Sequence, residues 1–145
     1  MFLDASAIVA ILTGEEDGGY FLAKIEASKK PIYVSALSIF EAVITIARKE
    51  SVSHNGANSP TPPAMIEQSQ TDVKEFLSII GAKELPINGS LHKVAIAAAS
   101  EYGRFVAHPA QLNFGDCFAY ACATANHLPL LFKGNDFVHT DIERA

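Results

Sequence analysis

Short apolar runs alternate with longer segments of helical periodicity, and this alternation constrains the fold more than any other feature of the sequence. The apolar runs lie near residues 2–3, 31–36, 83–87 and 130–132. Parallel strands need a crossover connection, usually a helix, so short strands separated by helices are typical of a parallel sheet. We therefore predict a three-layer α/β/α domain with a short, mostly parallel sheet of four or five strands.

Helical spacing of apolar residues follows each run. The predicted helical segments are 5–14, 20–30, 38–50, 64–80, 90–104 and 115–127. Ser35 or Ser38 is available to cap the third of them. The stretch at 51–63 is rich in Ser, Asn, Gly and Pro and has no apolar period. We predict that it is a mobile surface loop, inserted between two helices.

Size and composition indicate one globular unit. The chain has 145 residues, of which 49% are hydrophobic and 19% charged, enough for a single core and too short for two comfortable domains. We therefore predict a single domain over residues 1–145. The N-terminus lacks a basic start and a signal-peptide cleavage site, and no apolar stretch is long enough to span a membrane. The expected location is the cytoplasm, with no membrane partner.

The bulk charge does not indicate binding to a polyanion. The formal net charge is −5, so a role on nucleic acid requires a local site. Cys117 and Cys122 are separated by about 140° around their predicted helix axis and cannot form a disulfide with each other. We expect packed, reduced thiols.

Four acids share a position at the ends of predicted elements: Asp4 after the first strand, Glu41 in the helix after the second, Asp116 at a helix start and Asp136 after the last strand. In a parallel sheet, the carboxyl ends of the strands and the starts of the following helices meet at one edge. Carboxylates gathered there repel one another unless cations neutralise them. The joint placement of these acids therefore predicts a metal site.

The ligand chemistry favours a hard cation. Oxygen-only ligands suit Mg²⁺ or Mn²⁺, and the histidines and cysteines show no zinc-site spacing. There is no glycine-rich phosphate loop and no serine-hydrolase elbow. Acid-only Mg²⁺ sites suit phosphodiester chemistry, with one ion or two. Basic residues available to hold an RNA backbone are Lys24, Lys29, Lys30, Arg48, Lys49, Arg104 and Lys133.

Each acid also has a structural interpretation. Asp4 and Ser6 both fit caps for the helix that follows, and Asp116 fits a helix start, where the dipole favours an acid. Glu41 fits a water-facing helix position, and Asp136 fits a turn. We interpret the acidic segment 15–17 as a solvated turn, not as ligands. Three aromatics near the last helix, Phe114, Phe118 and Tyr120, fit core or partner surfaces better than base stacking.

Three stretches together resemble the PIN-domain family, specifically the VapC-type toxins of bacterial toxin–antitoxin pairs. They are "MFLDASAIVAIL" at the N-terminus, "ALSIFEAVITIAR", and "LNFGDCFAYACATANHLPLLFKGNDFVHTDI". The resemblance runs in order from residue 1 to about residue 142. It implies a Mg²⁺-dependent endoribonuclease, with Mn²⁺ as a substitute, that cleaves structured RNA such as tRNA or rRNA. It also implies inhibition by a cognate VapB-type antitoxin and a homodimer.

The resemblance also implies roles for individual residues. The family's metal ligands and catalytic residues fall on Asp4, Glu41, Asp116 and Asp136. Ser6 matches a nearby hydroxyl that supports the acids. Many relatives have Asp where this chain has Asn135, so the fourth ligand is shared or shifted between Asn135 and Asp136. We interpret Asp141 as structural.

Three other functions fit parts of the pattern. A phosphatase of the haloacid dehalogenase kind needs a second Asp two residues after Asp4, where this chain has Ser6. A catalytically weak PIN-fold module would use the same acids for binding without turnover. A non-toxin PIN nuclease acting on DNA normally carries extra DNA-gripping segments, which we do not find here.

Overall fold

The computed structural model describes all 145 residues and contains one four-stranded sheet. The strands are β1 (Phe2–Leu3), β2 (Tyr33–Ser35), β3 (Lys83–Leu85) and β4 (Leu130–Leu131). Their order across the sheet is β3-β2-β1-β4, and every neighbouring pair is parallel. Phe2 of β1 is in register with Tyr33 on one side and with Leu130 on the other. The predicted fold class is confirmed.

Helices make up most of the remaining chain. The α-helices are α1 (Ala5–Leu12), α2 (Gly18–Glu26), α3 (Ala36–Asn55), α4 (Pro63–Ile79), α5 (Leu91–Tyr102) and α6 (Phe114–Ala125). Two 3₁₀ helices span Arg104–Val106 and Asp136–His139. None of these helices combines the length and the apolar character needed to cross a membrane.

The central strands are buried on both faces, which explains why they are apolar without alternation. Phe2 and Leu130 belong to a cluster built mainly from α5 and α6, whereas Leu3 and Leu131 belong to one built mainly from α1 to α4. Successive strand residues point to opposite faces, so these four side chains join the sheet to both helical layers. Each fully buried side chain of this size contributes about 1.5–3 kcal/mol. The two clusters make the three-layer architecture.

Helix starts meet at the carboxyl edge of the sheet. The N-cap of α1 is Asp4, directly after β1, and the N-cap of α3 is Ser35, the last residue of β2. Ser35 Oγ accepts the backbone N–H of Ser38 at 3.2 Å, so the predicted capping role of Ser35 is confirmed. The last strand leaves the sheet beside these caps, because Asp4 donates its backbone N–H to the carbonyl of Leu131 at 3.0 Å. This edge therefore gathers chain segments that are far apart in sequence.

The predicted loop at 51–63 is shorter than expected, because α3 continues through Asn55 and the connection covers only residues 56–62. The apolar period of the sequence did not predict the last turns of α3, because polar contacts stabilise them. Ser51 is buried and donates its hydroxyl to the carbonyl of Pro60 at 3.3 Å. Arg48 donates to the carbonyls of Ala57 and Ser59. The helix ends at Gly56, whose φ of 84° is the left-handed conformation that glycine favours.

Candidate active site

Asp4 is a buried carboxylate fixed by its neighbours. Only 6% of its surface is exposed. Its Oδ2 accepts the backbone N–H of Ser6 at 2.9 Å and also the Ser6 hydroxyl. Burial raises the pKa of Asp4, the hydrogen bonds from Ser6 oppose that rise, and the charge of Asp136 adds to it. Asp4 is thus a helix cap, as its structural interpretation expected, and also an acid without a cationic partner.

Ser6 connects Asp4 to the last strand. Its Oγ donates to Asp4 and accepts the backbone N–H of Lys133 at 3.0 Å. Lys133 follows β4, so this single hydroxyl links the two central strands at their carboxyl ends. The supporting position predicted for Ser6 matches this geometry.

Glu41 reaches the same edge from α3. It lies in the second turn of that helix and is partly buried. Its carboxylate lies so close to the α-carbon of Gly115 that a β-carbon there would overlap it. The pKa of Glu41 is raised to about 7. Burial is the largest cause, and the charges of Asp4 and Asp116 also contribute. Glu41 therefore does not simply face water.

Asp116 is both a helix cap and a member of this acidic group. It occupies the third position of α6 in a capping box with Asn113. Its Oδ2 accepts the backbone N–H of Asn113 at 2.8 Å, while Asn113 Oδ1 accepts the N–H of Asp116 at 3.1 Å. Burial raises the pKa of Asp116 to about 6. The hydrogen bond with Asn113 lowers this pKa, the charges of Asp4 and Asp136 raise it, and the charge of Arg104 lowers it.

Asp136 is the exposed member of the set. It begins the 3₁₀ helix after β4 and follows Asn135, whose side chain makes no capping hydrogen bond. Both residues are exposed. Asp136 lines the pocket that contains the other three acids, and Asn135 does not. Of the two neighbouring positions, Asp136 is the one that lies with the acids.

One open pocket of about 410 Å³ collects the four predicted acids. Residues lining it are Asp4, Ala5, Ser6, Val9, Glu15, Glu41, Thr45, Lys49, Asn113, Asp116, Lys133 and Asp136. A larger pocket of about 670 Å³ is lined by α1, α2, α4 and neighbouring loops and contains none of the four acids. We take the smaller pocket as the functional site because its polar side chains converge and carry shifted pKa values.

The donor set of this pocket fits a hard divalent cation. Every ion pair in the protein involves Glu15 or Asp17, so no lysine or arginine forms an ion pair with the four predicted acids. Carboxylate oxygens without imidazole or thiolate suit Mg²⁺ and Mn²⁺. No three of the carboxylates are already arranged at distances that would hold one ion. Glu41, Asp116 or Asp136 would therefore have to turn towards Asp4 to complete a coordination sphere.

The sequence interpretation missed one acid of this pocket. Glu15 was expected in a solvated turn, but it forms ion pairs with Lys49 and Lys133 at the pocket wall. Hydrogen bonds from Lys133 and then Lys49 lower the pKa of Glu15 to about 2, and burial opposes this change. No local pattern around Glu15 signals these pairings, because both lysines come from distant parts of the chain.

Three neighbouring expectations agree with the structure. Cys117 and Cys122 are buried free thiols. Asp141 accepts the phenolic hydroxyl of Tyr120 at 2.6 Å, which agrees with a structural role for Asp141. Phe114 is 67% exposed, Phe118 is partly buried against the core and lies beside Phe114, and Tyr120 is buried in the core.

Comparison with known proteins identifies the family. The PIN domain model matches residues 1–143. A VapC ribonuclease of Rhizobium meliloti strain 1021 is 36% identical, covering 97% of this chain and 98% of the relative. Ribonuclease VapC28 of Mycobacterium tuberculosis H37Rv is 35% identical, covering 100% of this chain and 97% of the relative. A crystal structure of M. tuberculosis VapC20, described as a sarcin-ricin loop cleaving toxin, matches with a TM-score of 0.67 at 11% identity. The match covers 99% of this chain and 97% of the VapC20 chain, and it supports the fold alone. The chain belongs to the PIN domain family, and the relatives it resembles within that family are the VapC ribonucleases.

Proposed function

We propose that this protein is a Mg²⁺-dependent endoribonuclease toxin of a toxin–antitoxin pair. The observation that carries the proposal is the pocket in which Asp4, Glu41, Asp116 and Asp136 meet without a cationic partner. Its full-length relatives named VapC ribonucleases support the choice of RNA over other phosphodiesters. We expect tRNA or rRNA as the substrate class, and Mn²⁺ as a substitute for Mg²⁺.

In this proposal, Asp4 would be the fixed ligand of the ion, and the other acids would supply the remaining carboxylate oxygens. Asp4 suits that role because it is buried and oriented by two hydrogen bonds from Ser6. Asp116 is restrained by its capping box, whereas Asp136 is exposed and free to turn. A bound Mg²⁺ would offset the charge of the phosphodiester and lower the pKa of the attacking water.

Glu41 or Asp116 is our candidate for orienting the attacking water and accepting its proton. Both carboxylates line the pocket beside Asp4, so either one is within reach of a water held between the acids and a bound phosphodiester, as a general base must be. Water attacks phosphorus, the bond to the 3′ oxygen of the preceding nucleotide breaks, and that oxygen takes up a proton. The products are a 5′-phosphate and a 3′-hydroxyl.

RNA cleavage by the purified protein tests the proposal. Bulk tRNA and rRNA are incubated with the wild type in Mg²⁺, in Mn²⁺ and in EDTA, and with Asp4→Asn in Mg²⁺. We expect cleavage by the wild type with either metal and none in EDTA or with the variant. The matched control is Asp72→Asn, a partly exposed acid of α4 whose side chain accepts a hydrogen bond only from Gln68. Cleavage in EDTA, or full activity of Asp4→Asn, would contradict the mechanism.

A VapB-type antitoxin is the expected inhibitor. Support comes from the VapC relatives and from the larger pocket of about 670 Å³, which is mainly apolar and includes Ile79. Ile79 is 75% exposed, and exposed apolar concavities commonly bind a polypeptide. Expression of this chain alone should arrest bacterial growth, and co-expression with its cognate VapB-type antitoxin should restore it. Growth that is unaffected by expression of the chain would contradict the toxin role.

A homodimer is the expected assembly. Phe105 and Phe114 are 80% and 67% exposed and line a shallow pocket beside Glu41. Large exposed aromatics of this kind are typical of interfaces between chains. Sedimentation equilibrium should give twice the mass of the chain, and Phe105→Ser should shift it towards the monomer.

A catalytically weak binding module is the second candidate. It is favoured by the finding that no three carboxylates are already arranged around one ion. This function predicts Mg²⁺ binding and antitoxin binding without RNA cleavage, so the cleavage assay above separates the two candidates.

A further inference from the structure

Two lysines have a position shared by no other cationic side chain near the site. Lys49 and Lys133 line the pocket of the four acids. Arg48 is turned away to the carbonyls of Ala57 and Ser59, and Arg104 lines the neighbouring shallow pocket. In a chain of net charge −5, Lys49 and Lys133 are therefore the cationic side chains within this pocket that can contact an anionic substrate.

Both ammonium groups are held by acids outside the predicted ligand set. Lys133 Nζ lies 2.7 Å from Asp17 Oδ1 and also contacts Glu15 Oε2. Lys49 Nζ contacts Glu15 Oε1 and lies 3.5 Å from the hydroxyl of Thr13. Glu15 thus bridges two lysines, one from α3 and one from the segment after β4.

The lysine pair is tied geometrically to the acidic side of the pocket. Lys133 donates its backbone N–H to Ser6, which in turn donates its hydroxyl to Asp4. Lys49 lies two turns after Glu41 on α3. The pocket therefore has four acids with no cationic partner and, at its wall, two cations whose partners are replaceable.

These ion pairs can be exchanged for others. The side chains of Lys49 and Lys133 are 45% and 36% exposed, and exposed pairs contribute little to stability. An RNA phosphodiester offers two non-bridging oxygens that share one negative charge, and counterions are released when a lysine binds it. A strand whose scissile phosphate is at the acids would present its flanking phosphates to this wall.

We infer that Lys49 and Lys133 bind the RNA backbone beside the scissile phosphate, and that Glu15 and Asp17 compete with RNA for these two ammonium groups. The inference rests on the proposed nuclease function and deepens it. It makes both lysines substrate-binding residues. It makes Glu15 a positioning residue that weakens RNA binding while it keeps the lysines at the pocket.

The lysines are tested by the salt dependence of RNA binding. Fluorescently labelled bulk tRNA is titrated with Lys49→Gln and Lys133→Gln between roughly 50 and 200 mM KCl. Ca²⁺ replaces Mg²⁺, anisotropy is read immediately after mixing, and a gel confirms intact RNA. Each variant should lose about fivefold in affinity near 0.1 M salt, and the slope of log K against log salt should fall by about 0.7–0.9. Lys93→Gln, an exposed lysine of α5, is the matched control.

Glu15 is tested by the neutral variant Glu15→Gln. If the ion pairs of Glu15 only stabilised the fold, this variant would not bind RNA more tightly. Glu15→Gln should bind tRNA about two- to fivefold more tightly than Glu16→Gln, with a steeper salt slope, because both lysines lose their competitor. Glu16 is exposed and makes no ion pair, so its variant corrects for the change in net charge. Melting temperatures of both variants report any effect on the fold.

The outcomes separate the inference from the function on which it rests. Lysine variants that bind like Lys93→Gln, or a Glu15→Gln that binds no more tightly than Glu16→Gln, would overturn the inference while the wild type still cleaves RNA. If Glu15→Gln does not fold, the two lysine variants decide alone. A wild type that neither binds nor cleaves RNA would overturn the proposed function and the inference with it.

Discussion

The carboxylate of Glu41 occupies the space that a side chain at Gly115 would need. Gly115 is the second residue of α6, one position before Asp116, and its backbone conformation is one that other residues can adopt. Glycine at this position therefore leaves space for the Glu41 carboxylate of the neighbouring helix. The local backbone conformation does not require it. Contact between α3 and α6 brings Glu41 and Asp116 to one pocket.

Gly115→Ala should consequently impair activity more than stability. The new methyl group displaces the Glu41 carboxylate, while alanine at a helical position gains up to about 1 kcal/mol over glycine. We expect RNA cleavage to fall at least about tenfold, a loss of about 1.4 kcal/mol in transition-state stabilisation, with little change in melting temperature. Gly19→Ala on α2, where a β-carbon meets nothing within 4 Å, is the control. Equal activity of the two variants would contradict a role for the position of Glu41.

The pH dependence of stability should be inverted relative to that of a protein with paired acids. Glu41 and Asp116 have folded pKa values of about 7 and about 6, raised from 4.5 and 3.8. The folded state therefore binds more protons than the unfolded state between these values, and stability falls as the pH rises through that range. Without metal, the melting temperature should decline from about pH 4.5 to about pH 7.

Scanning fluorimetry in EDTA measures this decline. Glu41→Gln removes the group with the higher folded pKa and should flatten the curve across its upper half. Added Mg²⁺ should restore the melting temperature at neutral pH. A melting temperature that rises with pH over this range in the metal-free wild type would be inconsistent with pKa values raised by burial of these acids and by their mutual repulsion.

Asp4→Asn should separate the capping role of Asp4 from its charge. Asparagine is as good an N-cap as aspartate, and its side-chain oxygen can still accept the N–H of Ser6. We expect the melting temperature of Asp4→Asn in EDTA to equal that of the wild type. Mg²⁺ at a hundredfold excess over Kd stabilises an intact site by about 2.7 kcal/mol, and we expect the variant to lose this stabilisation. A Mg²⁺-induced shift in Asp4→Asn equal to that of the wild type would exclude Asp4 as a ligand.

Ser6→Ala should destabilise the protein by breaking a partly buried hydrogen-bond link rather than through lost packing. It removes the hydroxyl between Asp4 and the backbone N–H of Lys133, which leaves that donor without its partner. Urea denaturation should show a loss of about 1–3 kcal/mol. Ser100→Ala, an exposed serine of α5, should stay within about 0.5 kcal/mol of the wild type. Ser6→Thr keeps the hydroxyl and should recover much of the loss.

The sequence was most informative where a residue's role is set by its place in an element. Phe2 and Leu3 were identified as a strand because both faces of a parallel strand are buried, and Ser35 was identified as a cap from its position before a helix. The shared position of the four acids at element ends was likewise readable, because parallel topology brings those ends together.

Contacts between segments that are distant in the chain could not be predicted from the sequence in this way. The last turns of α3 lack an apolar period and depend on Ser51 and Arg48 meeting the loop that follows. Glu15 belongs to the pocket wall only because Lys49 and Lys133 come to it across 34 and 118 residues of sequence. The orientation of each carboxylate also depends on side-chain packing, as the fit of Glu41 against Gly115 illustrates.

The most direct measurement of the central claim is a crystal structure of the wild type soaked with Mn²⁺, read at the manganese absorption edge. The account predicts an anomalous peak coordinated by Asp4 and by at least two of Glu41, Asp116 and Asp136, with those side chains turned inward from their present positions. A peak elsewhere on the protein, or no peak at saturating Mn²⁺ with the carboxylates still apart, would contradict it.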